Sequence, residues 1–157
     1  MRKKVVVFGI SILTEMIFHD AKCHDDFEII AFTVNRKYIK EGTFLGKPVV
    51  PFEEVESIYP AAEYDMLLAF SGQFDMRMRK VLFSAVKEKG YALRNYISPK
   101  ADFSTGVQMG ENNIVMALAH VGLNGIMGSN NLIRQHVYLG HDFTLGDHVF
   151  IAPGCRI

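Results

Sequence analysis

The stretch "GSNNLIRQHVYLGHDFTLGDHVFIAPGCRI" (128–157) decides the fold of this chain, because its apolar residues recur with a period of six. Followed upstream in the same frame, the series starts at Ile97, and all eleven of its positions are apolar. These positions are Ile97, Phe103, Met109, Val115, Val121, Met127, Ile133, Leu139, Leu145, Ile151 and Ile157. A hexapeptide period predicts short strands that meet at tight turns, three to each coil of a parallel β-helix.

The residues beside the apolar position fit the same interpretation. Glycine directly follows it at positions 110, 122, 128, 140 and 146, where we expect glycine to tolerate the turn conformation. A run of unrelated hairpins is the alternative, and it would show a period of two with irregular spacing. The β-helix is expected to occupy residues 97–157, a little over three coils, and to be truncated at its C-terminus in the middle of a repeat.

The first part of the chain has a different pattern, in which short apolar runs alternate with helical spacing. The expected strands are 4–9, 27–35, 64–71 and 91–97, and the expected helices are 11–21, 51–59 and a segment between Asp75 and Gly90. Buried parallel strands typically appear as continuous apolar runs of this kind. This β-α-β-α-β-α-β order predicts an α/β Rossmann-like domain over residues 1–96, so that residues 97–157 form a second domain.

Composition excludes several classes of function. The 17 basic and 17 acidic residues balance, and no Lys/Arg run is present, so nucleic acid and anionic membranes are not expected partners. No apolar run approaches the length of a membrane span. The two cysteines, Cys23 and Cys155, are far apart in sequence and form no CxxC motif, which fits the cytoplasm.

Four segments carry a resemblance to a known family. They are "EIIAFTVNRKYI" (28–39), "FLGKPVVPFEEVESIYP" (44–60), "KGYALRNYISPKA" (89–101) and "LGHDFTLGDHVFIAPG" (139–154). The chain resembles the bacterial sugar acyltransferases, which include the sialic acid O-acetyltransferases and the nucleotide-activated amino-sugar N-acetyltransferases. The resemblance implies a left-handed β-helix, a homotrimer, an acceptor sugar held by the amino-terminal domain, and acetyl-CoA as co-substrate between neighbouring subunits.

The resemblance also implies a set of catalytic residues. The general base of the matching motif corresponds to His141, and the acidic residue that orients it corresponds to Asp142. Histidine suits this role because its unperturbed charge change lies near neutral pH. Phe150, Ala152 and Gly154 are the expected acetyl-CoA-binding residues, with a backbone N–H near Gly154 for the oxyanion. The acceptor would attack the thioester directly, without a covalent enzyme intermediate and without a metal.

Candidates for binding the sugar acceptor follow from topology. Ligands of open parallel sheets lie beyond the carboxyl ends of the strands, which selects Gly9, Ser11, Asn35, Ser71 and Gly72. Many members of the family carry a glycine-rich turn after the first strand, whereas this chain has "FGISILTE" (8–15). The missing glycines hinder close approach of a pyrophosphate and weaken the case for a nucleotide-sugar acceptor. Whether the acceptor group is an amine or a hydroxyl stays open.

Two other functions remain possible from the sequence. "HVYLGH" (136–141) places two histidines with four residues between them, and His120 is a third imidazole. This spacing resembles the γ-class carbonic anhydrases, in which three imidazoles bind zinc on a β-helix. In that class, however, the two ligands occupy different hexad positions from His136 and His141. The other possibility is an inactive acceptor-binding fragment, because a truncated β-helix would lack CoA-binding coils.

Overall fold

The structure is a computed structural model that describes residues 2–21, 26–71 and 75–157. The chain divides into two compact units. The first comprises Met1–Phe70 and Leu82–Leu93, and the second comprises Ser71–Val81 and Arg94–Ile157. The predicted boundary between an acceptor-binding domain, residues 1–96, and the β-helix, residues 97–157, stays a prediction.

The first unit is built on a five-stranded sheet. Its elements in chain order are β1 (Lys3–Phe8), α1 (Ile12–Ala21), β2 (Phe27–Val34), β3 (Thr43–Phe44), β4 (Lys47–Pro51), α2 (Val55–Ile58) and β5 (Asp65–Leu68). The strand order is β3-β4-β2-β1-β5, and every pair is parallel except β3 with β4. Val5, Val6 and Val7 are fully buried in β1, as expected for a strand covered on both faces.

The predicted fold class is wrong, because the part of the chain described here contains no Rossmann-like domain. A helix was expected between each pair of parallel strands, and a fourth parallel strand was expected at 91–97. Instead, an antiparallel β3–β4 hairpin and the single-turn α2 lie between β2 and β5. In the first unit, residues 91–93 form no strand and pair with the sheet through an isolated bridge from Leu93 to Met66.

The hairpin has a local cause that the apolar pattern did not reveal. Leu45 and Gly46 have φ angles of 50° and 75°, the two positive values that a tight hairpin turn requires. The following strand, "KPVVP" (47–51), pairs with β2 although it contains two prolines, which usually argue against a strand. This segment was therefore not predicted as a strand, and the expected β-α-β unit contains an additional hairpin before its helix.

The helix α3 (Met76–Glu88) agrees with the prediction of a helix between Asp75 and Gly90. Asp75 caps its start, since its carboxylate accepts the backbone N–H of Arg77 at 3.0 Å. Gly90 follows its end with a φ of 87°, the left-handed conformation that commonly ends a helix. At 13 residues α3 is the longest helix of the described segments, and none of these helices has the length and apolarity to cross a membrane.

The second unit is a parallel β-helix made of two-residue strands. They are β6 (Tyr96–Ile97), β7 (Asp102–Phe103), β8 (Gln108–Met109), β9 (Ile114–Val115), β10 (His120–Val121), β11 (Ile126–Met127), β12 (Leu132–Ile133), β13 (Tyr138–Leu139), β14 (Thr144–Leu145) and β15 (Phe150–Ile151). They form three parallel sheets ordered β13-β10-β7, β14-β11-β8 and β15-β12-β9-β6. Partners are 18 residues apart, as in Ile97 with Val115, so the period read from the sequence agrees with the pairing.

Each corner of a coil contains one residue in the left-handed region. From Gly106 to Gly154 the residue at every sixth position has a positive φ, including Asn124 at 59° and Asp142 at 57°. Asparagine, aspartate and glycine are the residues that adopt this conformation at low cost. The corners thus explain why these residue types recur three positions after the apolar one.

The glycines that directly follow the apolar position serve a different purpose from the one expected. Gly122 and Gly128 do not have a positive φ. A Cβ on Gly122 would lie 2.6 Å from the carbonyl oxygen of Gly140, one coil further along. Successive coils approach too closely here for a side chain, so the expectation that these glycines serve the turn conformation is wrong.

Inside the β-helix, apolar side chains share the interior with a ladder of asparagines. Val115, Val121 and Ile133 are fully buried, and so are Asn113 and Asn131. Asn95 accepts the backbone N–H of Asn113 at 2.8 Å, and Asn113 accepts that of Asn131 at 3.1 Å. The amide nitrogens donate to glycine carbonyls, for example from Asn113 to Gly128 at 2.8 Å. Buried amides require such partners, and these partners hold successive coils in register.

Candidate active site

The principal candidate site is the corner between β13 and β14, where His141 and Asp142 are adjacent. Nδ1 of His141 lies 2.5 Å from Oδ2 of Asp142. An ionised carboxylate only accepts, so Nδ1 carries the proton and donates it to Asp142. The lone pair of the neutral imidazole is then on Nε2, which is the arrangement that a general base requires.

The carboxylate of Asp142 has a second partner in the coil before it. Nδ2 of Asn124 donates to Oδ1 of Asp142 at 2.9 Å. The hydrogen bond from Asn124, together with that from His141, holds the pKa of Asp142 below its usual value. Asp142 is therefore ionised at neutral pH and able to stabilise a positive charge on the imidazole.

Backbone geometry fixes this corner. The φ of 57° turns the chain sharply at Asp142, whose N–H donates to the carbonyl of Leu123 at 2.9 Å. The side chain of His141 is 79% exposed and that of Asp142 is 61% exposed. An exposed imidazole held by one nitrogen can meet a substrate with its other nitrogen.

A second imidazole–carboxylate pair lies on the sheet of β7, β10 and β13. Nδ1 of His120 is 2.7 Å from Oδ2 of Asp102, which is one coil earlier in register. The ring of Tyr138 stacks on His120 at 4.8 Å between centroids with 8° between planes. Because Tyr138 covers a ring face of His120, the imidazole of His120 is more enclosed than that of His141.

His148 belongs to a third polar cluster. Nδ1 of His148 accepts a hydrogen bond from the side-chain amide of Asn130 at 2.9 Å, so its proton lies on Nε2. Asn130 also donates to the backbone carbonyl of the fully buried Arg79 at 3.2 Å. Burial lowers the pKa of His148, and the positive charges of Lys80 and Arg79 lower it further. The negative charge of Asp147 acts in the opposite direction and raises this pKa.

The residues of the zinc alternative do not assemble into a metal site in the single chain. Among residues 2–21, 26–71 and 75–157 no group of three His, Cys, Asp or Glu side chains is placed to hold a metal ion. His136 is exposed at a corner with a φ of 60°, and His120 is bonded to Asp102. This arrangement gives the carbonic anhydrase reading no support.

The acceptor-binding candidates of the first unit follow β1 and β2, as expected. The N–H of Gly9 donates to the carbonyl of Thr33 at 2.9 Å, which links the carboxyl ends of the two strands. Gly9 has a φ of 127°, and a Cβ there would lie 2.9 Å from the carbonyl oxygen of Ala69. Ser11 is exposed just before α1, and its hydroxyl is 3.5 Å from that of Thr14.

Asn35, after β2, has a partner of its own. Its side-chain amide donates to Oε1 of Glu53 at 3.5 Å, and the backbone N–H of Arg36 donates to Oε2 of Glu53 at 3.0 Å. Ser71 is half-buried after β5, whereas Gly72 lies outside the described residues. Glu53 had not been identified as a candidate, although its carboxylate lies beside Asn35 and bonds to it.

The expected acetyl-CoA-binding residues lie in and after β15. Phe150 is half-buried and faces Leu132 in the neighbouring strand, while Ala152 and Gly154 are exposed. The N–H of Gly154 already donates to the carbonyl of Gln135 at 3.0 Å. In this conformation that N–H is engaged within the chain and is not a free oxyanion donor.

A shallow cavity of about 230 Å³ lies elsewhere in the first unit. Its lining includes Arg2, Phe27 and Glu28 at the amino ends of β1 and β2. The acceptor candidates Gly9 and Asn35 follow the carboxyl ends of the same strands. The cavity is therefore at the opposite edge of the sheet from the predicted acceptor site.

Sequence reasoning missed Asn124 and the His120 pair. Both depend on contacts between residues 18 apart, namely Asn124 with Asp142 and Asp102 with His120. The period of six already implied three strands to a coil, so an offset of 18 would have identified both pairs.

Solved structures similar to this chain include two acetyltransferases. The acetyltransferase domain of PglB from Neisseria gonorrhoeae FA1090, solved in complex with acetyl coenzyme A, is 22% identical with a TM-score of 0.85. That match covers 99% of this chain and 73% of the domain. Perosamine N-acetyltransferase from Caulobacter crescentus, with CoA and GDP-perosamine bound, matches over 96% of this chain and 69% of its own, at 22% identity and a TM-score of 0.81.

WeeI from Acinetobacter baumannii AYE is a third neighbour, at 20% identity, a TM-score of 0.74, and coverage of 98% of this chain and 72% of that one. No family model matches the sequence, and no curated protein matches it. At these identities the likeness shows the fold. The resemblance to bacterial sugar acetyltransferases drawn from the sequence is confirmed by these structural neighbours.

Proposed function

We propose that this chain is an acetyl-CoA-dependent acetyltransferase that acts on a sugar, with His141 as general base. One observation carries the proposal: the exposed imidazole of His141 is held through Nδ1 by Asp142 at 2.5 Å, on a β-helix. The neighbours support it, because PglB and perosamine N-acetyltransferase were solved with acetyl coenzyme A or CoA.

An amine is the favoured acceptor group. The Caulobacter crescentus neighbour is an N-acetyltransferase with GDP-perosamine bound. In two of its solved forms, one histidine is replaced by asparagine or by alanine. These variants support a functional role for a histidine in proteins with this fold. A nucleotide-linked amino sugar is therefore the first acceptor to test here, with a free sugar hydroxyl second.

The proposed reaction is a direct transfer of the acetyl group from CoA to the acceptor amine. The acceptor amine attacks the thioester carbonyl carbon, and a C–N bond forms while Nε2 of His141 removes a proton from the attacking nitrogen. The carboxylate of Asp142 stabilises the imidazolium that results. A backbone N–H other than that of Gly154 holds the oxyanion. Collapse breaks the C–S bond, and the imidazolium returns the proton to the CoA thiolate.

The acceptor is proposed to bind within residues 1–96, beyond the ends of β1 and β2. Gly9, Ser11, Asn35, Ser71 and Gly72 remain its proposed contacts. Phe150, Ala152 and Gly154 remain the proposed contacts of acetyl-CoA. A cytoplasmic location is supported by Cys155, which is free and exposed.

A homotrimer is proposed as the working form. Leu118, Leu123 and Ile126 of the β-helix are 59%, 56% and 51% exposed. Leu118 also has a φ of 62°, which is an unfavourable conformation for leucine. Leu123 lies beside the corner of His141, since its carbonyl accepts the N–H of Asp142, and its exposed side chain supports a second subunit as the other wall of the site.

The test is acetyl transfer from acetyl-CoA to nucleotide-linked amino sugars, measured as the mass of the acetylated product. Product mass is preferred to thiol detection because the exposed Cys155 would react with thiol reagents. The variant His141→Asn keeps an N–H toward Asp142 but removes the base. We expect kcat to fall by about 10²- to 10⁴-fold with little change in the KM for acetyl-CoA.

The matched control is His120→Asn, which alters the other imidazole–carboxylate pair. We expect it to retain acetyl transfer within about twofold, since kcat reports only groups that act in the transition state. If acetyl transfer were lost only in His120→Asn, His120 and not His141 would be the general base. Absence of product with every acceptor, combined with acceptor binding by calorimetry, would favour a binding domain over an enzyme.

A further inference from the structure

Two hydrogen bonds are the main interactions that fix the orientation of the Asp142 carboxylate. Its side chain is 61% exposed, and its carboxylate oxygens bond to Asn124 and His141 at 2.9 and 2.5 Å. Rotation of an aspartate carboxylate about its terminal torsion has broad minima, so packing alone does not set its plane. Removal of either partner would leave this torsion held by a single hydrogen bond.

Asn124 occupies the corner that corresponds to Asp142 one coil earlier. The two residues have φ angles of 59° and 57° at corresponding corners of successive coils. The N–H of Asp142 donates to the carbonyl of Leu123, next to Asn124, so backbone pairing fixes the spacing of the two side chains. Nδ2 of Asn124 has Oδ1 of Asp142 as its partner at 2.9 Å.

We propose that Asn124 is a positioning residue for the catalytic pair: by holding Oδ1 of Asp142, it directs Oδ2 to Nδ1 of His141. The inference rests on the proposed function, since it assigns Asn124 to the reaction carried by His141. Through Asp142 it sets the tautomer of His141 that leaves Nε2 without a proton. Asn124 does not itself touch the substrate.

The chain supplies a suitable replacement. Gly106 occupies the corresponding corner one coil earlier, with a φ of 83°. Asn124→Gly therefore removes the amide without straining the backbone. Asn124→Asp is the second variant: it keeps the size of the side chain but places a carboxylate against Asp142. His136→Gly is the control, because His136 is exposed at another corner with a φ of 60°.

The first readout is the ¹⁵N chemical shifts of the His141 ring in the full chain at about pH 8, where unperturbed imidazoles are neutral. We expect the native protein and His136→Gly to show the Nδ1–H tautomer. Asn124→Gly and Asn124→Asp should show a mixture of both tautomers. The proposal is overturned if His141 has the same tautomer in Asn124→Gly as in the native chain.

The second readout is acetyl transfer. We expect Asn124→Gly to lower kcat about tenfold with KM values unchanged, because Asp142 loses one of the two hydrogen bonds that orient it toward His141. A purely structural role would alter the melting temperature and leave both the tautomer and kcat unchanged. If Asn124→Gly shifts the tautomer in a chain that acetylates nothing, Asn124 still positions His141, and the proposed function is what fails.

Discussion

The ring of Phe143 occupies the space in which a side chain on Gly125 would lie. A Cβ on Gly125 would come within 2.2 Å of Cε1 of Phe143. The two residues stand one coil apart, beside the paired strands Ile126–Met127 and Thr144–Leu145. A large residue in one coil is thus matched by an absent side chain in the next, as close packing requires.

Gly125→Ala should therefore destabilise the β-helix by about 1–3 kcal/mol, because the added methyl group forces the Phe143 ring from its place. Urea denaturation measures the change. Gly146→Ala is the matched control, since a Cβ there would meet no atom within 4 Å, and neither glycine has a positive φ. Equal midpoints for the two variants would contradict this account of the packing.

Asn113→Val should destabilise the second unit by about 1–3 kcal/mol, the cost of leaving a buried N–H unpaired. Asn113 is fully buried and accepts the N–H of Asn131 at 3.1 Å. Valine fits the site sterically, because Val107 and Val137 occupy the same place in the hexad. A variant as stable as the native protein in urea would show that the ladder adds nothing to the stability of the fold.

The contrast between these residues shows how far the sequence predicts the structure. The period of six was visible because one position of every hexad is apolar, whatever its neighbours are. The Asn113–Asn131 ladder and the Gly125–Phe143 contact depend on which residues meet after an offset of 18, which is information about pairs. The first unit was harder still, since an unexpected hairpin at Leu45 and Gly46 precedes the expected helix.

In the candidate site, too, local features were predictable from the sequence and contacts between coils were not. His141 and Asp142 were identified through a local motif, and their adjacency in sequence made the contact predictable. Asn124 was not identified, because its role depends on the turn in the coil before. The acceptor candidates came from the topology of an expected Rossmann-like domain, and that domain is absent from the described residues.

The cluster around His148 predicts a dependence of stability on pH. Nδ1 of His148 accepts the amide N–H of Asn130, so protonation there sets two donors against each other. Burial lowers the pKa of His148 from 6.5, and the charges of Lys80 and Arg79 lower it further, against Asp147. The native state thus binds this proton less readily than the unfolded state, and stability rises with pH between the lowered pKa and 6.5.

Comparison with His148→Asn isolates this contribution. Asparagine at 148 extends the amide series of Asn112 and Asn130, which are joined at 2.9 Å, and it does not titrate. We expect the native protein to lose more stability than His148→Asn between about pH 7 and 5, as measured by urea midpoints at each pH. Parallel losses in the two proteins would assign the pH dependence to other groups.

Asp142→Asn tests whether the charge at the corner acts in catalysis. Asparagine keeps the shape of the side chain and tolerates the φ of 57°, as Asn124 does at 59°. It has no charge to stabilise the imidazolium formed as His141 removes the proton. We expect kcat to fall about tenfold or more, with the KM for acetyl-CoA little changed.

Asp102→Asn is the matched variant, because Asp102 holds His120 at 2.7 Å as Asp142 holds His141 at 2.5 Å. We expect Asp102→Asn to keep kcat within about twofold, since His120 lies under Tyr138 and not at the exposed corner. The hydrogen bonds from Asn124 and His141 keep the pKa of Asp142 below 3.8, so its carboxylate stays ionised above that pH. The ratio of native to Asp142→Asn rates should therefore not fall between about pH 6 and 8, and a ratio near one would remove Asp142 from the mechanism.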